Sequence, residues 1–402
     1  MKKIVTTTLT LTACALGLAI SAAPTHAQGQ RAKFEPAGDS VFHGVSVQES
    51  WTDTGLRSQT AEYSKLTGKK LAVITWFASL YEKGSMTAWR SNYTATLSRV
   101  KRMGAVSLVK FSVQDYVFDK TKKMAGVKQI AQGVYDAYFE EFADTIKEFK
   151  DPVFISVNHE MNGTWYPYSE AYPGSPSTAA DFVAMWQRIV DISRKRGANN
   201  IAWVWSPNVP DVGPVPYSKY YPGDSYVDWV GISFYSGNPI SNLDSIYKSY
   251  ADRKPIFITE WATSPEQNRH NKQFTSEAKW IDDLFNAMET KYPRVKAISW
   301  FQHDKHDGNH LIQRVPEQQK VYAADVQSPR FIDSANALLS KPAGGYEEVR
   351  LEKPAREIIL REAPVQRTPV QVVPAAPPAP QAPPRERIRL QIIPTEKVPL
   401  QR

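Results

Sequence analysis

The sequence predicts an α/β fold built as a single (β/α)8 TIM barrel. Between residues 40 and 340, short apolar, β-rich runs alternate with longer segments of helical period, and eight such runs can be counted. This alternation builds a parallel sheet, and eight strands with crossovers in about 300 residues match a closed barrel. An open doubly wound sheet is the rival, but no Gly-rich phosphate fingerprint follows the first run.

The runs are Val41–Val47, Leu71–Phe77, Ala105–Phe111, Pro152–Val157, Ile201–Trp205, Val227–Ser233, Pro255–Thr259 and Val295–Trp300. Helical stretches between them are clearest at Gln129–Phe149, Ala179–Arg196 and Thr275–Lys291, with Arg330–Ser340 expected to close the last unit. Pro207–Ser225 is rich in Pro, Gly and Tyr and reads as a loop with little helix. The barrel is assigned residues 28–342. Residues 1–27 have the basic, apolar, small-residue order of a secretory signal: Met1-Lys2-Lys3, a Thr-rich apolar stretch to Ile20, then cleavage near Ala27. That apolar run is too short for a membrane span. The chain is therefore expected to be secreted or periplasmic, with a lipoprotein anchored at Cys14 as a minor alternative. Residues 343–402 hold 11 of the 29 prolines, and this composition favours an extended, disordered tail over a core element.

Apolar residues make up 42% of the 402 and charged residues 22%, which suits a buried core. The net charge of +8 is concentrated at the termini: Lys2, Lys3 and a last 60 residues with ten Lys/Arg against seven Asp/Glu account for five of the eight. The rest is too little for a nucleic-acid footprint. Cys14 is the sole cysteine, so a chain cleaved after Ala27 has no disulfide, thiolate metal site or cysteine nucleophile. The 11 Trp and 19 Tyr are the unusual numbers, because flat amphipathic rings suit stacking on the apolar faces of sugars or bases.

In such a barrel, chemistry sits just after the C-terminal end of each strand. In order, these positions offer Gln48 and Glu49, Trp76, Asp115, Asn158-His159-Glu160, Trp205 with Asn208, Tyr235, Glu260-Trp261, and Trp300 with Gln302, His303 and Asp304. Glu160 ends the fourth strand and Glu260 the seventh, so two carboxylates should face one another across the barrel mouth. Paired carboxylates equip glycoside hydrolysis, in which one group must be protonated and the other anionic. Glu160 lies among Trp and Tyr, and burial together with the Glu260 charge should raise its pKa; a hydrogen bond from Tyr235 would favour ionised Glu260. The segment from His303 to His310 raises a metal hypothesis, but Asp307-Gly308-Asn309 is turn chemistry and breaks the helical face a zinc motif needs, so no metal or other cofactor is expected.

His159-Glu160-Met161-Asn162-Gly163-Thr164-Trp165-Tyr166-Pro167-Tyr168, Ile258-Thr259-Glu260-Trp261 and Ile298-Ser299-Trp300-Phe301 together resemble glycoside hydrolase family 26, the endo-β-mannanases and their β-glucanase and β-xylanase relatives. The likeness runs from about Val41 to Leu339. It implies a retaining double displacement with Glu160 as acid/base and Glu260 as nucleophile. It also implies a strand-six tyrosine, here Tyr235, hydrogen-bonded to the nucleophile, and His159 in contact with the substrate or the catalytic pair. Trp300 is expected as the platform under the cleaved sugar, with Trp165 and Tyr166 lining neighbouring subsites. His159 could instead be a core histidine, since period two turns it away from Glu160, and Trp300 could be barrel packing. Trp76, Trp205 and Asn208 divide evenly between substrate contact and structure.

The partner implied is a polysaccharide, β-mannan first and β-glucan second. Trp300-Phe301-Gln302-His303-Asp304-Lys305 lacks the Trp-Arg pair of one mannanase branch and is similar to the form in relatives that include mixed-linkage β-1,3-1,4-glucanases. Asn158 also departs from the small residue of the pattern. A non-hydrolytic, envelope polysaccharide-binding barrel is the rival from another class, but a pure binder has no need of a buried acidic pair.

Overall fold

The computed structural model describes residues 31–48, 50, 52–79, 86–113 and 126–339. The signal segment with Cys14, the tail at 343–402, Glu49 and Asp115 lie outside the described residues. Eight parallel strands form the barrel: β1 (Val41–Val47), β2 (Val73–Ser79), β3 (Val106–Ser112), β4 (Val153–Val157), β5 (Ile201–Trp205), β6 (Trp229–Ser233), β7 (Ile256–Trp261) and β8 (Val295–Gln302). They pair in sequence order, and β1 also pairs with β8 from Phe42–Ala297 to Val47–Gln302, which closes the cylinder.

The crossovers carry α1 (Asp53–Thr67), α2 (Met86–Arg102), α3 (Val127–Ala131), α4 (Asp136–Phe149), α5 (Ala179–Arg196), α6 (Asp244–Tyr250), α7 (Pro265–Asn268), α8 (Glu277–Thr290) and α9 (Pro316–Asp325). Local chemistry sets their ends. Thr178 and Asp181 make a reciprocal capping box at the start of α5, and Gly197 ends it with φ 78°, a left-handed conformation that costs glycine nothing. The expected single helix Gln129–Phe149 is two, α3 and α4, because Gly133 (φ 89°) breaks it.

The closing element also departs from expectation. Arg330–Ser340 is not the closing helix; α9 takes that place, opened by Pro316 at its first turn. Phe331–Ile332 is instead a two-residue strand paired with Val41 and Phe42. The cause is anchoring: the Arg330 guanidinium donates to the carbonyls of Asp39, Met288 and Pro293, and Leu338 and Leu339 pack against the barrel floor.

Period two sorts the strand side chains. Phe42, Val73, Val106, Leu108, Phe154, Ala202, Val204, Trp229, Phe257 and Ala297 form an inner cluster, while Ile74, Val109, Ile155, Trp203, Ile258 and Ile298 join the shell shared with the helices. Above the inner apolar layer the interior turns polar, with the Thr75 and Ser299 hydroxyls 2.7 Å apart and Lys110 fully buried. The lower barrel is packed core, and the polar layer is the floor of the mouth.

Candidate active site

Two local irregularities bring the carboxylates into that mouth. At the end of β4, Asn158 (φ 50°) and Glu160 (φ 56°) are both left-handed, so the chain turns twice and His159 and Glu160 both reach the cleft instead of alternating. Asparagine tolerates this conformation, and its side-chain oxygen accepts the Val113 amide at 2.9 Å, which accounts for an asparagine at this position. In β7 one extra residue is inserted relative to both neighbours: Ile232 pairs with Ile258 but Ser233 with Glu260, and Ile298 pairs with Ile258 but Trp300 with Trp261. This bulge re-aims Glu260 inward, the direction strict alternation from Phe257 would deny it.

Glu160 and Glu260 line one cleft of about 1550 Å³ with His159, Trp165, Tyr166, Phe77, Phe301, Tyr235 and others. Trp165, 40% exposed at the rim, donates its indole N–H to Glu160 Oε2 at 2.9 Å. The Tyr235 hydroxyl donates to Glu260 Oε2 at 2.9 Å, and the Lys110 ammonium bonds Glu260 Oε1. His159 Nε2 stands 3.7 Å from Glu260 Oε1 and 3.0 Å from the Tyr166 hydroxyl.

These surroundings push the two acids apart. Burial, and then the charge on Glu260, raise the Glu160 pKa, with Lys110 opposing. Burial alone would raise Glu260 as well, but the charge of Lys110 and hydrogen bonds from Lys110 and Tyr235 bring it down to about 2. His159 is held neutral: burial and then Lys110 lower its pKa to about 3. Tyr235 keeps its proton because burial and the nearby carboxylates raise it. One carboxyl inclined to hold a proton and one inclined to lose it thus share a cleft, the equipment for protonating a leaving oxygen on one side of a bond and attacking on the other.

The other expected residues divide. His159, Trp165, Tyr235 and Asn208 line the cleft; the Asn208 side chain is spent on the Pro210 carbonyl. Trp76 touches the cleft edge but packs on Tyr93, 5.0 Å between ring centroids. Trp300 does not face the cleft. It is fully buried in the shell, donating to the His310 carbonyl and packing on Trp261 and Tyr322, because parity along β8 sends its side chain outward. Its neighbour Phe301 has the inward parity and borders the cleft, 5% exposed with its ring stacked on His303, 4.0 Å between centroids. Trp205 is likewise in the shell, bonded to the Tyr220 carbonyl. Around His303–His310 the chain forms a small hairpin of β9 (Asp304–Lys305) and β10 (Gly308–Asn309); His306 is exposed at its tip while His303 binds Ser46. Among the described residues no group of three or more His, Cys, Asp or Glu could hold a metal ion. Nor is any helix among the described residues long and apolar enough to cross a membrane.

Sequence reasoning missed Lys110 and Phe77. Both follow from parity: on β3, Val106, Leu108 and Lys110 share the inner face, and on β2, Val73, Thr75 and Phe77 do. A lysine at an inward position above a leucine was the available signal.

Comparison with known proteins bears on family and fold. Residues 74–313 match the model of glycosyl hydrolase family 26. Endoglucanase H of Acetivibrio thermocellus is 28% identical over 278 residues, 66% of this chain and 28% of that protein. A β-1,3-xylanase from Alcaligenes sp. is 21% identical over 248 residues, 54% of this chain and 51% of that protein. Thus the chain spans about half or less of these relatives' length. Among solved structures, the catalytic domain of an endo-β-1,4-mannanase from Bacillus sp. JAMB-750 has the same fold, with TM-score 0.56 and 19% identity over 74% of this chain and 88% of that one.

Proposed function

From the premise that the chain belongs to glycosyl hydrolase family 26, we propose that it is a retaining endo-β-glycanase working by double displacement. Glu160 is the acid/base and Glu260 the nucleophile. The observation that carries this is the oppositely biased carboxyl pair in one cleft, with Tyr235 and Lys110 on one acid and Trp165 on the other.

In the first step Glu260 forms a bond to the anomeric carbon as the glycosidic bond breaks and Glu160 gives its proton to the leaving oxygen. In the second, Glu160, now anionic, takes a proton from water, which attacks the same carbon and frees Glu260. No metal or cofactor enters. Trp165 and Phe77, at 40% and 39% exposure, are the proposed stacking faces for the sugars, with the buried Phe301 packed edge-on against Phe77 at the cleft wall. A cleft of about 1550 Å³ exceeds the roughly 300–1,000 Å³ of a small-molecule pocket and supports a polymer substrate. The N-terminal signal pattern supports action outside the cytoplasm, secreted or periplasmic.

β-1,4-Mannan is the first substrate proposed. Mixed-linkage β-1,3-1,4-glucan is the second, favoured by Phe301 where an arginine would follow the tryptophan and by the likeness to endoglucanase H. New reducing ends counted on mannan, barley β-glucan, β-1,3-xylan and carboxymethylcellulose should appear on at least one, and NMR of the first product should show the β anomer. Inversion, or no turnover on any polymer, would overturn the proposal.

A further inference from the structure

Lys110 sits where a packed barrel has no need of a cation. It is fully buried, occupies the inner face of β3 directly above Leu108, and pairs in register with Phe77 of β2 and Ser156 of β4. Lysine is among the residue types least often buried unless paired, and its partner here is Oε1 of Glu260, across the barrel on β7. The other groups facing that carboxylate are the Tyr235 hydroxyl from β6, bonded to Oε2, His159 and Glu160 from the end of β4, and His303 after β8. His159 and His303 are both held neutral by burial. Among the described residues, Lys110 is the buried cation in direct contact with Glu260.

We propose that Lys110 is a positioning residue for the glycosidase reaction, its ammonium clamping one edge of Glu260 and serving as the counter-charge that both carboxylates share in turn. This rests on the reading of Glu260 as nucleophile and Glu160 as acid/base. Before attack the negative charge is on Glu260. When Glu260 bonds to the anomeric carbon and the leaving oxygen takes the Glu160 proton, that charge is transferred to Glu160. Lys110 acts electrostatically on both acids, so its single charge favours ionised Glu260 before attack and ionised Glu160, the form that must accept a proton from water, after it. The polar layer around Lys110 lets one fixed cation serve both half-reactions without moving.

The test compares wild type, Lys110→Met and Lys110→Arg on whichever of mannan and barley β-glucan is turned over. In Lys110→Met both limbs of the kcat/KM pH profile should move up, because each carboxyl loses the cation that favours its charged form. kcat should fall by about 10²–10³-fold, the scale of losing one electrostatic stabiliser, with KM little changed. Lys110→Arg should keep both limbs near their wild-type positions. A folded Lys110→Met whose activity is unchanged, or merely scaled with both limbs in place, overturns the proposal. If Lys110→Met does not fold, Lys110→Met combined with Glu260→Gln should restore the fold, since neither charge is then left unpaired; a double variant that stays unfolded assigns Lys110 to packing and also overturns it. Glu260→Ala separates the two readings. If it still hydrolyses polymer, the nucleophile assignment fails and takes this inference with it; if it is inactive and rescued by azide while the Lys110→Met limbs stay still, the inference alone fails.

Discussion

Glu160 and Glu260 are the same side chain biased toward opposite protonation states by what each touches. Glu160 has an indole donor and a buried, partly aromatic wall; Glu260 has a lysine and a tyrosine hydroxyl. On the proposed mechanism the acidic limb of the kcat/KM profile should follow ionisation of Glu260, lowered to about 2, and the basic limb loss of the Glu160 proton, whose pKa burial and the charge on Glu260 raise. The profile should therefore be a broad bell extending further to the acid side than an unperturbed pair would allow. Glu260→Ala should remove hydrolysis by several orders of magnitude, with azide restoring turnover as a glycosyl azide. Glu160→Ala should lose roughly 10²–10⁴-fold on polymer, the value of general acid catalysis, and far less on an aryl glycoside with a good leaving group. Equal losses on the two substrates would remove the acid role from Glu160. Both acids were legible in the sequence because each ends a strand and each stands in a recognisable motif. Lys110 was not, because it lies mid-strand in an apolar run and no motif surrounds it.

At the scale of elements, all eight predicted strands fell within two residues of the observed ends at both termini, because parallel strands are continuous apolar runs and stand out from amphipathic helices. What parity could not supply were its own interruptions. The bulge in β7 and the left-handed Asn158 and Glu160 turn the cleft's carboxylate side chains inward against the pattern, and nothing in a single sequence marks such places. Trp300 shows the reverse error: the motif drew attention to the tryptophan, while alternation along β8 from Ala297 onward turns it outward and puts Phe301 at the cleft wall. The pair can be told apart by experiment. Trp300→Ala should cost about 3–5 kcal/mol of stability, as expected for emptying a buried aromatic site, and lower the melting temperature. Phe301→Ala also empties a buried site, so it should lower melting as well, but in addition it should lower kcat/KM on polymer in the enzyme that stays folded, which Trp300→Ala should not. A Trp300→Ala enzyme of normal stability that bound substrate poorly would restore the tryptophan to the cleft.

Across the whole molecule, stability and function are stacked along the barrel axis. Phe42, Phe154, Trp229 and Phe257 interlock at the floor, whereas the mouth buries ionisable groups that no core requires. Such groups leave a signature in the pH dependence of folding, and the sign differs for the two acids. Glu160 has a folded pKa raised above its unfolded value, so the folded state is favoured below the unfolded pKa and loses stability as pH rises through the folded one. Glu260 has a folded pKa lowered to about 2, so its contribution is present above the unfolded pKa and is lost as pH falls toward 2. Calorimetric melting across pH should therefore separate two isosteric variants. Glu160→Gln should melt higher than wild type above the ordinary carboxylate range, with the gain vanishing in acid. Glu260→Gln should melt lower at neutral pH, since Lys110 then lies buried beside an uncharged amide, and the deficit should shrink as the wild-type carboxylate is itself protonated. Two variants that shifted in the same direction with the same pH dependence would mean that the cleft does not hold its acids in opposite states, and a double displacement would then lack its starting condition.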